Sequence, residues 1–198
     1  MAQLDSVTTL IVSQKKEWGE ILSQFEFKNK YRVLDPSGAE VFLAFEKPKN
    51  ILLRIFLKAL RPFEMEILTP PQMPALFLKR PFRFFFHEIE VRDAAGVIQG
   101  KVVKEFSLLR RIYSVVDQTG NEVYQLFGPI LHPWTFQIMS QGQEVGKITK
   151  KWSGGMKEVF TDADNFAIEF PRTATATQKA VLLGAVFLID FVHFENRS

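Results

Sequence analysis

The chain has 198 residues, a net charge of +3 and no cysteine, and 46% of its residues are apolar. This length fits one domain, or one domain with a short arm, and the apolar content excludes a disordered chain. The lack of cysteine excludes disulfides, thiolate metal sites, a cysteine nucleophile and palmitoylation. The small positive net charge is compatible with an anionic membrane surface but does not indicate nucleic-acid binding.

The N-terminal segment from Leu4 to Phe27 spaces its apolar residues by three and four positions, which is typical of an amphipathic helix. Asp5 or Ser6 is suitable as its N-cap. We therefore predict that residues 1–27 form a helical arm, which packs against a main domain of residues 28–198.

From Tyr31 onward the pattern changes to short alternating apolar runs separated by turn residues. Regularly spaced hairpins of this kind predict an antiparallel all-β sheet that curls or closes into a barrel. The predicted hairpins are Tyr31–Phe45, Ile89–Val103, Tyr113–Phe127 and Phe136–Thr149, with turns at Asp35–Gly38, Asp93–Gly96, Asp117–Gly120 and Ser140–Gly142.

The region between the first two hairpins is less regular. Asn50–Leu60 is predicted as a short helix or irregular segment, and Phe63–Leu68 as a strand with alternating apolar residues. After a proline-rich loop, Leu76–Phe86 is predicted as a very aromatic strand. Side chains alternate along a strand, so Phe82, Phe84 and Phe86 are expected inside the barrel and Phe85 outside.

The C-terminal stretch from Ala180 to Phe194 is apolar on every side of a helical wheel, apart from Asp190 and His193. Its 15 residues span about 22 Å, which is short for a bilayer core of about 30 Å, so we predict a buried helix inside the barrel rather than a membrane span. Ala180 and Gly184 leave a smooth strip for close packing. Asp190 and His193 share a face, either as a polar spot where the helix leaves the core or as a catalytic acid and base.

A cluster of acidic residues precedes this helix. In a strand, Asp162 and Asp164 point to the same face, and two carboxylates can bind a hard cation such as Ca²⁺. The alternative interpretation is a strand whose polar start caps a turn. No catalytic motif is recognisable among the three histidines or elsewhere in the chain.

Two C-terminal motifs, Lys151–Pro171 and Lys179–Glu195, closely resemble the signature end of the phospholipid scramblase family. The resemblance extends upstream through Phe25–Tyr31, Leu78–Pro81 and Glu88–Glu90, and covers nearly the whole chain from about Leu4. It implies a fold similar to the tubby C-terminal domain, a closed barrel around a hydrophobic C-terminal helix. It also implies Ca²⁺-stimulated, energy-independent movement of phospholipids between leaflets.

The chain departs from the family pattern at several positions. Animal members carry a proline-rich N-terminal extension that is absent here, and an acylated cysteine cluster where this chain has Phe82–Phe86. The family calcium motif has glycine at the position of Ala167 and an acid at the position of Thr173. Acylation is therefore excluded, and Ca²⁺ binding at Asp162 and Asp164 is expected to be weak, of about millimolar order.

The first functional hypothesis is a scramblase-like protein, peripheral at the cytoplasmic face of a membrane rich in anionic lipid. The second is a non-enzymatic tubby-like module that binds lipid headgroups or a protein, and a third, weaker one is a hydrolase, for which no nucleophile is visible. Basic residues near a bilayer favour anionic lipid, but they are equally compatible with a solvated charged face. For Phe85 the alternative to lipid contact is packing under the N-terminal arm. The predicted lipid contacts are Lys79, Arg83, Phe85, Lys147, Lys150 and Lys151.

Overall fold

The computed structural model describes residues 2–14, 30–47, 62–150 and 165–194. Within these ranges a short 3₁₀ helix, Ala2–Leu4, precedes twelve strands and one α-helix, α1, Ala176–His193. The strands are β1 Thr9–Gln14, β2 Lys30–Leu34, β3 Glu40–Glu46, β4 Phe63–Leu68, β5 Pro74–Arg80, β6 Glu88–Asp93, β7 Ile98–Lys104, β8 Arg111–Val116, β9 Glu122–Gly128, β10 Thr135–Ser140, β11 Gln143–Lys150 and β12 Asn165–Glu169.

The twelve strands form a closed antiparallel barrel in which each strand pairs with its neighbours in sequence, and β12 returns to pair with β1. The closing register places Ile11 of β1 opposite Ala167 of β12 on one side and opposite Leu34 of β2 on the other. Closure pairs every edge, so the predicted barrel is confirmed.

The antiparallel order gives the barrel two different ends. Every connection that follows an even-numbered strand lies at one end, which we call the turn end, and α1 begins there after β12. Every connection that follows an odd-numbered strand lies at the other end, where α1 finishes, which we call the exit end. The connections 81–87, 105–110 and 129–134 are at the exit end.

The turn end is built from the aspartate–glycine turns that the sequence predicts. In the first of them, the Asp35 carboxylate accepts hydrogen bonds from the backbone N–H groups of Ser37 and Ala39, at 2.8 and 3.0 Å. Gly38 follows with φ of +86°, which a residue without a side chain adopts at little cost. The side chain and the glycine together fix the hairpin, and Asp93 and Asp117 repeat this arrangement.

Helix α1 fills the barrel. A capping box starts it, since the hydroxyl of Thr175 accepts from the N–H of Gln178 at 3.2 Å and the Gln178 side chain accepts from the N–H of Thr175 at 3.0 Å. Its apolar residues meet opposite walls: Phe187 packs edge-on to Tyr31 of β2, and Val181 faces Gly100 of β7. The helix is long and apolar enough to cross a membrane, but most of it is buried in the barrel, so the predicted core helix is confirmed.

The predicted N-terminal helix is wrong where the structure describes it. Thr9–Gln14 is a strand of the barrel, β1, with Leu10 and Val12 in the core. Three adjacent apolar residues, two of them β-branched, suit a strand that is covered on both sides. The rest of the predicted arm, residues 15–27, and the Asn50–Leu60 segment lie outside the described residues.

Candidate functional site

The aromatic segment at the exit end is a loop and not the continuation of a strand. β5 ends at Arg80, because Pro81 has no N–H to donate to the ladder. Phe82, Phe84 and Phe86 are all exposed, so their predicted position inside the barrel is wrong, and Phe85 is 79% exposed. The N–H of His87 donates to the Phe85 carbonyl at 3.1 Å, and this turn holds the aromatic rings outside the barrel.

Three of the predicted lipid contacts lie close together on β5 and the loop that follows it. Lys79 is exposed on β5, in register with Glu64 and Glu90 of the adjoining strands. Arg83 is exposed in the loop and donates to a Glu88 carboxylate oxygen at 3.1 Å. Together with Phe85 they combine exposed cations with an exposed aromatic ring.

The remaining predicted contacts are on the opposite wall of the barrel. Lys147 lies on β11, six strands from β5, and its ammonium is 3.3 Å from a Glu169 carboxylate oxygen. Lys150 is buried, with its ammonium 4.5 Å from the ring centroid of Phe194 and 5.2 Å from that of Phe166. Its charge is stabilised by ring faces inside the barrel mouth. Lys151 lies outside the described residues, so the six residues do not form one surface.

The two polar residues near the C-terminal end of α1, Asp190 and His193, each have a tyrosine partner in the barrel wall. The Tyr31 hydroxyl donates to the Asp190 carboxylate at 3.0 Å, and the Tyr113 hydroxyl is 2.7 Å from Nε2 of His193. Burial raises the pKa of Tyr113, so this phenol stays neutral. Asp190 and His193 therefore act as the predicted polar spot at the end of a buried helix.

A buried arginine closes the same end of the barrel. Nη2 of Arg80 lies 3.0 Å from Nδ1 of His87, and the Arg80 guanidinium stacks 5.7 Å from the ring centroid of Phe63. Because a guanidinium only donates, Nδ1 must be its unprotonated acceptor. Burial, followed by the charges of Arg80 and Lys104, lowers the pKa of His87 to about 4. The pair is a neutral histidine beside a fixed cation.

The calcium hypothesis concerns Asp162 and Asp164, which lie outside the described residues. The stretch that follows them, Asn165–Glu169, is strand β12, hydrogen-bonded to β1 and β11. A contiguous twelve-residue calcium loop from Asp162 to Thr173 therefore does not fit, because Ala167 stands in a sheet where the loop needs a sharp turn. Among the described residues, no group of three or more histidines and carboxylates could hold a metal ion.

Sequence reasoning missed two further apolar loops at the exit end. Connection 105–110 exposes Phe106, Leu108 and Leu109, and connection 129–134 exposes Ile130 and Leu131. Turns between strands are ordinarily rich in glycine, asparagine, aspartate and serine. Large apolar residues at turn positions were therefore the sequence signal that could have identified these two loops.

The fold places this chain among tubby-like barrels threaded by a C-terminal helix. In a comparison with solved structures, it is similar to an Arabidopsis thaliana protein solved by X-ray crystallography, with a TM-score of 0.53 and 11% identity over 95% of this chain and 94% of that one. At this identity the likeness shows the fold alone.

The sequence comparisons then define the family. The Scramblase family model matches residues 1–196, and the chain belongs to that family. It is 34% identical to phospholipid scramblase 1 of Rattus norvegicus, over 98% of this chain and 62% of the rat protein. It is 35% identical to phospholipid scramblase 1 of Mus musculus, over 99% and 63%, and 32% identical to phospholipid scramblase 2 of Homo sapiens, over 98% and 69%. The chain thus spans a little under two thirds of the rat and mouse proteins.

Proposed function

We propose that this chain moves phospholipids between the leaflets of a membrane without an energy source, as a peripheral protein at the cytoplasmic face. The observation that carries the proposal is the match to the Scramblase family over residues 1–196. Relatives that align with nearly all of this chain are named phospholipid scramblases. The movement is physical transport of lipid, so it requires neither a nucleophile nor an acid–base pair.

The second candidate is a tubby-like module that binds lipid headgroups without moving them. It is favoured by the burial of α1, since the one helix of the described residues that could span a bilayer already fills the barrel. A polar route for headgroups would then have to form along the outside of the barrel or between copies of the chain. The two candidates predict the same membrane partner and differ in whether lipid crosses the bilayer.

A dithionite-quenching assay separates the two candidates. The purified chain is reconstituted into liposomes that contain a fluorescent phospholipid in both leaflets, and dithionite bleaches only label that reaches the outer leaflet. Scrambling leads to nearly complete bleaching, whereas a binding module leaves the inner half of the label intact. Liposomes that bind the chain but keep their inner label would refute scrambling and support the module.

A calcium effect is proposed to be weak, because the contiguous loop lacks an acid at Thr173 and a glycine at Ala167. Sites with few carboxylates bind Ca²⁺ at about 0.1 to 1 mM or more weakly. Titration calorimetry on wild type and on Asp162→Ala/Asp164→Ala is expected to show either no heat or millimolar binding that the double substitution removes. Micromolar binding to the wild type that the substitution abolishes would contradict this expectation.

A further inference from the structure

The exit end carries exposed apolar side chains on three adjacent loops. The loops follow β5, β7 and β9, which run in the same direction, so their tips project from the same end of the barrel along about half of its rim. Phe85 and Leu109 are each 79% exposed and Leu131 is 88% exposed. The other exposed apolar residues of these loops are Phe82, Phe84, Phe86, Phe106, Leu108, Ile130 and Trp134. A soluble surface rarely collects so many large apolar residues in one place.

These tips are held in place by hydrogen bonds at their bases. The Arg111 guanidinium donates to the carbonyl oxygens of Pro129, His132 and Pro133, at 3.0, 3.3 and 2.6 Å, which fixes the 129–134 loop against β8. The N–H of Lys104 donates to the His87 carbonyl at 2.8 Å and joins the bases of the other two loops. The apolar side chains therefore stand on ordered loops, and their exposure does not come from an unstructured tip.

Among the described residues, the balance of charge at the two ends differs in sign. Around the apolar tips lie the cations Arg83, Lys104, Arg110 and Arg111, with Glu88 and Glu105 as the acidic residues of the same connections and strand ends. Glu88 pairs with Arg83, and Glu105 accepts a hydrogen bond from Ser114. The described connections and strand ends of the turn end carry one cation, Arg172, against six acidic residues: Asp35, Glu40, Asp93, Asp117, Glu122 and Glu169.

We propose that the exit end is a docking surface for an anionic phospholipid bilayer, in which the tips of the 81–87, 105–110 and 129–134 loops insert among the acyl chains and the surrounding cations contact lipid phosphates. A bilayer is favoured over a protein partner because the apolar groups stand on separate projecting tips and do not line a groove. The cationic surroundings complement the negative surface of such a membrane. The barrel would stand with its end on the membrane, with the acidic turn end facing away.

This inference deepens the proposed membrane function and rests on it for the bilayer as partner, but it does not require that lipid be moved. The proposed surface also consists of different residues from the lipid contacts that the sequence predicted. Lys147 and Lys150, on the opposite wall, have no part in it, while two loops that the sequence did not single out provide most of the surface.

The chain has no cysteine, so one introduced cysteine gives a unique attachment site for an environment-sensitive fluorophore. We would label Leu109→Cys and Leu131→Cys at the exit end, and Met73→Cys and Val97→Cys at the turn end as matched controls, since Met73 and Val97 are 60% and 55% exposed. On vesicles with an anionic lipid fraction, the exit-end labels are expected to shift to the blue and to be quenched by spin-labelled acyl chains. Equal responses at the two ends, or none at the exit end, would overturn the proposal.

Vesicle co-sedimentation tests the energetics of the same surface. We expect Leu108→Ser/Leu109→Ser to weaken partitioning onto anionic vesicles by about ten-fold or more, because two large side chains no longer insert. Met73→Ser/Val97→Ser should change it less than about two-fold, because its apolar groups stay in water. Replacing Arg83 and Arg110 by glutamine should weaken binding to anionic vesicles but leave binding to neutral vesicles unchanged.

Three results would count against the docking surface. Unchanged binding by Leu108→Ser/Leu109→Ser is one, and a large loss of its thermal stability, which would show that these leucines pack against the chain itself, is the second. The third is vesicle-independent self-association that this variant abolishes, which would identify a second copy as the partner. The dithionite assay distinguishes the two proposals. If the labelled tips respond to vesicles but no lipid moves, scrambling is contradicted and the docking surface stands. If lipid moves but the tips do not respond, the docking surface is contradicted and scrambling stands.

Discussion

At the scale of single residues, the buried polar groups show how an apolar barrel accommodates charge. Asp190 lies in the buried part of a mainly apolar helix, and Tyr31 donates a hydrogen bond to it at 3.0 Å. Burying a carboxylate without such a donor costs far more than burying a hydroxyl. The sequence predicts that Asp190 must have a partner, but the partner is 159 positions away and becomes its neighbour only through the fold.

The Tyr31–Asp190 bond gives a prediction about stability. Tyr31→Phe removes the donor and keeps the ring that packs on Phe187, so we expect the free energy of unfolding to fall by about 1 to 3 kcal/mol. Tyr124→Phe is the matched control, because its hydroxyl donates to the neutral Gln178 at 3.2 Å. Urea denaturation should show a smaller loss for the control, and equal losses would contradict a special role for the carboxylate.

His87 gives a prediction about pH. Burial, Arg80 and Lys104 lower its pKa from 6.5 to about 4 in the folded chain, so between these values only the unfolded state binds the proton. The group therefore costs no stability above pH 6.5, and the free energy of unfolding falls as the pH drops toward 4. The slope is at most about 1.4 kcal/mol per pH unit, and solvent screening reduces it.

The measurement compares wild type with His87→Asn by urea denaturation across this range. Asparagine cannot titrate, but its side-chain oxygen can still accept from Arg80 in place of Nδ1. We expect the variant to show a shallower dependence on pH than the wild type. The same slope in both proteins would place the titration in another group.

At the scale of elements, α1 packs closely against the barrel wall at β6 and β7. Gly100 of β7 has φ of +153°, and a Cβ there would overlap the Val116 carbonyl oxygen and lie 2.8 Å from Cγ2 of Val181. On the helix, a Cβ at Gly184 would lie 2.6 Å from Cγ2 of Val91 on β6. Gly184, which was predicted to allow close packing, therefore packs against side chains of the barrel wall. The glycine that leaves room for α1 at β7 is Gly100, which lies on the strand.

Gly100→Ala is accordingly expected to lower the free energy of unfolding by at least about 2 kcal/mol, because overpacking adds to backbone strain. Gly96→Ala is the control, since Gly96 has φ of +83° but nothing within 4 Å of an added Cβ. The difference between the two variants in chemical denaturation isolates the steric part. If the control loses as much stability as Gly100→Ala, the helix does not press on β7.

Local turn signals explain which elements could be predicted from the sequence, and the absence of such a signal explains why β1 could not. The hairpins around Asp35, Asp93 and Asp117 carry their own turn chemistry, so strands on either side of them could be predicted. β1 has no such signal, because its partners β2 and β12 are joined to it only through residues 15–29 and through barrel closure. Its strand character follows from long-range pairing, which short-range periodicity does not report.

At the scale of the whole molecule, the exit end shows why part of the site could not be predicted. The lipid-contact prediction grouped residues by charge along the sequence, and it joined Lys79 on β5 with Lys147 on the opposite wall. The neighbouring positions of the 105–110 and 129–134 loops depend on the order of strands around the barrel. The hairpin pattern and the apolar C-terminal stretch predicted the barrel and its central helix, and the family resemblance implied the same fold. The distribution of the apolar loop tips could not be predicted in this way, because it depends on the closed structure.

The last prediction is that α1 stays inside the barrel when the protein is bound to vesicles. The helix has 18 residues, about 27 Å, which is shorter than a bilayer core of about 30 Å. Moving it into lipid would place Asp190 in hydrocarbon, at a cost of up to about 2.5 to 3.5 kcal/mol, which is the value at the centre of a span. It would also leave the inward side chains of the strands, such as Leu78 and Val102, without their partner, at roughly 1.5 to 3 kcal/mol for each one exposed.

Hydrogen exchange followed by mass spectrometry measures this directly. Peptides that cover Val181–Phe191 are expected to exchange slowly in solution without detergent, and equally slowly on anionic vesicles, because the barrel protects them in both states. Peptides from β6 and β7, which face α1, serve as the internal control, since they would lose their protection if the helix left. Rapid exchange in β6 and β7 on vesicles, with α1 still protected, would mean that the helix has moved into lipid and that the barrel opens on the membrane.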